Sequence, residues 1–130
     1  MHALKCAIVA LALTMPAGAL STSALATEAK IVVLYGHPKD PAAFDKYYAE
    51  THAPMVARVK TVKRFEYAKP QPAPNGNQPP YYLAVDILFE SLDALRATAA
   101  TDEWKAIAAD VPNFASGGAT PFVAVVEPRK

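Results

Sequence analysis

His52 is the residue in this chain best suited to move a proton near neutral pH, because an imidazole titrates in that range. It follows Phe44 and Tyr48 at helical spacing, which places the three on one inward-leaning face. Tyr35 closes an apolar run, and Tyr47 lies on the same helix as His52. Either phenol could donate to a substrate oxygen. Asp86 interrupts an apolar strand between Val85 and Ile87. There it could orient His52 as the carboxylate of a base–carboxylate pair, or pair with Lys63 or Arg64 on a neighbouring strand. Each of these residues also has a structural reading: His52 as a helix end bonded to a carbonyl, the tyrosines as core aromatics with one wet tip. His37 precedes a proline in a loop, Trp104 reads as core, and Asp110 and Asn113 read as caps where the chain leaves a helix.

Other chemistries lack their residues. The one cysteine, Cys6, sits in the first apolar run, and no HxH, HExxH or CxxC spacing occurs. No glycine-rich loop follows a strand to cradle a phosphate. Neither a metal nor a cofactor is therefore expected.

The elements that must position these side chains come in the order β-α-β-β-α-β. Residues 30–36 form a β-rich run that ends at glycine. Asp40 then Pro41 signals a helix start, and the helix runs to about Thr51; Pro54 disturbs it, which leaves His52 at a helix end or kink, with a further turn or two over residues 55–59. Residues 61–69 alternate as a second strand, with Val62, Arg64 and Glu66 on one face and Lys63, Phe65 and Tyr67 on the other. The proline-rich stretch 70–80 reads as a long loop of the kind used as a lid or interface arm. A third strand spans residues 81–90, with Leu83, Val85, Ile87 and Phe89 on one apolar face. Ser91 caps a second helix, which restarts at Thr101, and a fourth strand covers residues 120–127. This is the split βαβ, ferredoxin-like α+β plan: a four-stranded antiparallel sheet with both helices on one face. The strands are apolar on both sides, so a homodimer with the two sheets face to face, enclosing a barrel-like space, is expected.

The first 26 residues read as a cleavable export signal. Lys5 is followed by an apolar run of about ten residues, too short to span a bilayer core of roughly 30 Å. Ala24-Leu25-Ala26 offers the small residues that a signal peptidase requires. Cleavage before Thr27 would remove the only thiol and leave 12 basic against 12 acidic residues. Such a neutral domain has no basic field for nucleic acid and no polybasic membrane patch. The expectation is a single domain, residues 27–130, that is periplasmic or secreted.

Val33-Leu-Tyr-Gly36, Pro41-Ala-Ala-Phe-Asp-Lys-Tyr-Tyr48, His52-Ala-Pro54 and Ala109-Asp-Val-Pro-Asn-Phe114 together resemble the EthD family. The resemblance covers almost all of the chain after residue 29. It implies a dimeric α+β barrel and raises the standing of His52. Similar proteins are linked to oxidative degradation of ether compounds in an accessory role, some are labelled reductases, and fungal relatives include dehydratases acting on aromatic polyketides. The proline-rich stretch and the export signal depart from the family pattern. The expectation is an enzyme of the lyase or isomerase kind, without a cofactor, acting on a small hydrophobic molecule through His52. Two alternatives stay open: a non-catalytic ligand-binding or accessory protein of a degradation pathway, and an oxidoreductase by family analogy.

Overall fold

The computed structural model describes residue 18 and residues 27–129. The expected export signal therefore lies outside the described residues.

Strand β1 (Ala29–Tyr35) is rich in β-branched side chains, ends on an aromatic one and stops at Gly36. Gly36 and Gly117 touch backbone to backbone: a Cβ on Gly36 would fall 2.2 Å from the Gly117 carbonyl oxygen. This contact is open only to glycine, and it pins the end of β1 against the start of β4. Helix α1 (Pro41–Tyr47) begins where the Asp40 carboxylate accepts from the Ala43 N–H at 3.1 Å, with Pro41 in the first turn.

The helix does not break at Pro54. It passes through a π turn (Tyr48–His52) and continues as α2 (Ala53–Ala57). The cause is local. Proline has no N–H for the Glu50 carbonyl, and its ring crowds that oxygen. Widening the turn relieves the clash, with the Ala53 N–H reaching back five residues to the Tyr48 carbonyl.

Strands β2 (Val62–Ala68) and β3 (Leu83–Phe89) follow, then α3 (Leu92–Ala99), α4 (Asp102–Asp110), a 3₁₀ turn (Val111–Asn113) and β4 (Ala119–Val125). Ser91 caps α3 and Thr101 caps α4, each accepting from a backbone N–H three residues on. The sheet order is β2-β3-β1-β4, with every neighbouring pair antiparallel. This is the ferredoxin-like split βαβ plan anticipated from the sequence.

The core lies between the sheet and the helices. Ile31, Tyr35, Leu83, Val85, Ile87 and Phe89 meet Phe44, Tyr48, Val56, Leu95, Ile107 and Phe114 there. Fully burying one such side chain stabilises the fold by about 1.5–3 kcal/mol. A β-bulge between Val62 and Arg64 alters the expected alternation of β2. Val62 pairs with Phe89 and packs on the core with Phe65, whereas Arg64 pairs with Leu88 on the other face. That second face carries Val32, Leu34, Leu88 and Phe122 around a Lys30–Asp86 ion pair at 2.7 Å.

The proline-rich loop does not act as a lid. It turns at Gly76, with φ of 82°, and is tied back where the Pro79 carbonyl lies 3.0 Å from His37 Nε2. None of its residues reaches the cavity described next.

Candidate functional site

A cavity of about 300 Å³ lies between the helix-covered face of the sheet and the helices. It sits inside one protomer, on the opposite side of the sheet from the barrel space expected between two sheets. Ile31, Val33, Val85 and Ile87 form its floor, and Val56, Ile107 and Val111 form much of its roof. Among the described lining residues, only Tyr35, Tyr48, His52 and Trp104 carry a polar side-chain atom. No lysine, arginine, aspartate or glutamate is among the described lining residues.

His52 is placed by the π turn and is 3% exposed. Its ring packs between Tyr48, at 5.4 Å between centroids, and Phe114, at 4.6 Å. Its Nδ1 lies 2.9 Å from Oδ2 of Asp110, the last residue of α4. The other Asp110 oxygen, Oδ1, accepts from the Tyr47 hydroxyl at 2.5 Å and from Asn113 Nδ2 at 3.0 Å. Partial burial works to raise the Asp110 pKa, but the hydrogen bonds from Tyr47, Asn113 and His52 outweigh it. The carboxyl is held below its usual range. An ionised carboxylate only accepts, so Nδ1 of His52 carries the proton of that bond. In its neutral form the ring leaves Nε2 as a base, and that nitrogen makes no hydrogen bond to any described residue.

Tyr35 and Tyr48 are held as phenols. Burial pushes both pKa values up, helped for Tyr35 by the charge on Asp110 and for Tyr48 by Tyr35 and Tyr67. Both therefore stay hydrogen-bond donors at neutral pH. The site thus joins one base with a charged orienting partner to two neutral donors in an apolar enclosure. Such a set can take up a proton and steady an oxyanion. Among the described residues, no group of three or more His, Cys, Asp or Glu side chains is gathered to hold a metal.

The residues picked out in the sequence divide cleanly. His52 and Tyr35 line the cavity. Tyr47 does not. Its hydroxyl is spent on Asp110, which also raises the Tyr47 pKa, and its ring stacks on Phe114 at 5.5 Å. Asp86 is not the partner of His52. Its side chain alternates to the other face of the sheet from Val85 and Ile87, where it pairs with Lys30 on β1 instead of Lys63 or Arg64 on β2. The carboxylate that does meet His52 is Asp110, which had read only as a helix-exit cap. Tyr48, on the His52 face, adds a second phenol to the cavity wall. Its spacing from His52 was the available signal; for Asp110, 58 positions away in the chain, no spacing could have served.

Comparison with known proteins agrees with this fold. The EthD domain matches residues 37–118, from the loop before α1 to the turn before β4. An uncharacterised 11.0 kDa protein from the thcB-thcC intergenic region of Rhodococcus erythropolis is 42% identical over 91 residues, covering 70% of this chain and 87% of the relative. The crystal structure of an ethyl tert-butyl ether D family protein from Bacillus halodurans superposes with a TM-score of 0.69. It is 28% identical and covers 75% of this chain and 96% of its own. Two more distant structures share the fold. One is a hydroxynitrile lyase from Passiflora edulis (TM-score 0.63, 11% identity, 80% and 97% coverage). The other is SnoaB, a cofactor-independent oxygenase from Streptomyces nogalater (TM-score 0.54, 20% identity, 81% and 96% coverage). The matched span contains His52, Tyr47, Asp110 and Asn113 together, and on that match this chain belongs to the EthD domain family.

Proposed function

We propose that this protein is a cofactor-independent enzyme of the lyase or isomerase kind, acting on a small hydrophobic molecule by proton transfer through His52. One observation carries the reading: the His52–Asp110 pair, at 2.9 Å, stands in the wall of an apolar cavity. Nε2 takes a proton from a weakly acidic C–H or O–H of the substrate. The Asp110 carboxylate steadies the imidazolium that forms. Tyr35 and Tyr48 donate to the developing oxyanion. The imidazolium then returns its proton at a second position, giving an isomer, or to a leaving group, giving elimination. The cavity volume lies at the lower end of the roughly 300–1,000 Å³ usual for ligand pockets, which suits a small substrate. A structure of the same fold is described as a cofactor-independent oxygenase and another as a lyase, so this scaffold accommodates such chemistry. The test is a turnover screen of neutral enolisable carbonyl compounds and lactones, followed by His52→Ala on any substrate found. A loss of about 10²–10⁴-fold in kcat is expected, and unchanged turnover would sink the proposal.

A second reading, retention of an apolar ligand without turnover, is favoured by how few polar atoms reach the cavity wall. Native mass spectrometry separates the two. A stoichiometric apolar ligand, retained equally by wild type and His52→Ala with no product formed, supports the second reading.

We also infer a homodimer and export. The sheet face away from the helices carries Val32, Leu34 and Leu88, of which Val32 and Leu88 are buried, beside Phe122, which is 46% exposed. Such a face gains from a second copy. Phe122→Asp is expected to yield monomers by light scattering, and a wild-type monomer would count against the dimer. For export, the observation is Ala24-Leu25-Ala26 after the apolar run. A periplasmic protein whose N-terminal sequence starts at Thr27 is expected; an intact Met1 on cytoplasmic protein would contradict it.

A further inference from the structure

We propose that the cavity selects uncharged, compact molecules carrying one oxygen-bearing end and rejects carboxylates of the same shape. This rests on the reading that the cavity is the substrate site, and it names the class of molecule that site takes.

The argument is one of charge and count. An anion entering the cavity meets no cationic side chain among the described lining residues. The charge bonded to a lining residue is instead negative: Asp110, hydrogen-bonded to His52 at 2.9 Å and held ionised by three donors. Its field already reaches into the cavity wall, where it opposes ionisation of the buried Tyr35 phenol. A carboxylate placed beside that phenol would feel the same opposition, and burial in an apolar enclosure would add to it. A neutral oxygen fares differently. Tyr35 and Tyr48 can both donate to it, and Nε2 of His52 can accept from a hydroxyl or an acidic C–H. The polar groups of the wall are therefore matched to one small polar end. The remainder of the molecule faces Ile, Val, Pro and Ala side chains and the Trp104 ring.

Trp104 supplies the measurement. It is the only tryptophan in the chain and lines the cavity, so its fluorescence reports occupancy without any need for turnover. Two probes of one shape and different charge, 4-methylbenzamide and 4-methylbenzoate, are titrated into the purified protein at pH 8. The amide is expected to bind about tenfold tighter or more than the carboxylate. Asp110→Asn keeps the shape of that side chain and removes its charge, and it should narrow the ratio to about threefold. Should that variant fail to fold, Pro121→Lys tests the same point. Pro121 lies on exposed strand β4 yet touches the cavity, and a cation there should tighten carboxylate binding severalfold. Equal affinity for the two probes, tighter carboxylate binding, or no binding of either overturns the inference. None of these results bears on proton transfer by His52, which the turnover comparison with His52→Ala judges separately.

Discussion

Nδ1 of His52 and Oδ2 of Asp110 lie 2.9 Å apart, although 58 positions separate the two residues in the chain. One comes from a π turn that a proline forces open, the other from the last turn of a helix on the far side of the motif. Their meeting leaves the second imidazole nitrogen free for a ligand. The predictions below follow from that contact and from what supports it.

Acid should weaken the fold partly through Asp110. Its carboxyl is depressed in the folded state, so the native protein binds that proton less readily than the unfolded chain. The stability it contributes is complete above the unfolded value of about 4 and is lost as pH falls through the lower folded value. Asp45, depressed by Lys69 and Tyr82 against the opposing effect of burial, contributes in the same direction. Melting temperatures from pH 7 to pH 2.5 should drop below about pH 4. Asp110→Asn should flatten that drop without abolishing it. An unchanged acid limb in the variant would contradict the assignment.

Tyr47→Phe removes one of the three hydrogen bonds that orient Asp110 but touches neither the cavity nor His52 Nε2. On an identified substrate it should lower kcat about tenfold while leaving KM nearly unchanged. A rise in KM alone would mean that Tyr47 contacts the substrate after all.

Phe114 is the ring against which the site is built. It packs on Tyr35, Phe44, Tyr47, Tyr48 and His52, with centroids between 4.6 and 5.6 Å. Phe114→Ala should cost about 3 kcal/mol of stability in denaturant titration and weaken amide-probe binding in the same protein. Near-wild-type stability would show that the cluster does not hold the site.

Pro54→Ala restores the donor whose absence opens the π turn. The helix can then wind regularly, which turns His52 away from Asp110. The variant should fold, yet lose roughly 10²-fold in turnover through misplacement of the base. Full activity would mean that packing, not Pro54, sets the turn.

Much of the fold was legible because its signals are local. Asp40-Pro41, Ser91 and Thr101 each announce a helix start within four residues, and the even spacing of Leu83, Val85, Ile87 and Phe89 marks the buried face of β3. The site was legible only where spacing along one helix sufficed, as for Tyr48 and His52. Asp86 and Asp110 are both acids beside apolar residues. Which one meets His52 depends on the face of the sheet and on the packing of two distant helices. Alternation does place Asp86 opposite Val85 and Ile87, so its exclusion could have been read from the strand. The bulge at Lys63 could not, because it is set by pairing with β3. Composition also leaves the direction of the proline-rich loop open, and it folds back on His37 instead of over the cavity.

The most direct test of the account is the protonation state of His52, read by ¹⁵N NMR of imidazole-labelled protein with His52→Ala used for assignment. The account predicts that the neutral ring carries its proton on Nδ1, and that its Nε2 resonance shifts when a neutral hydroxyl-bearing probe such as 4-methylphenol occupies the cavity. A neutral ring with its proton on Nε2, or an Nε2 resonance indifferent to a probe that quenches Trp104, would contradict it.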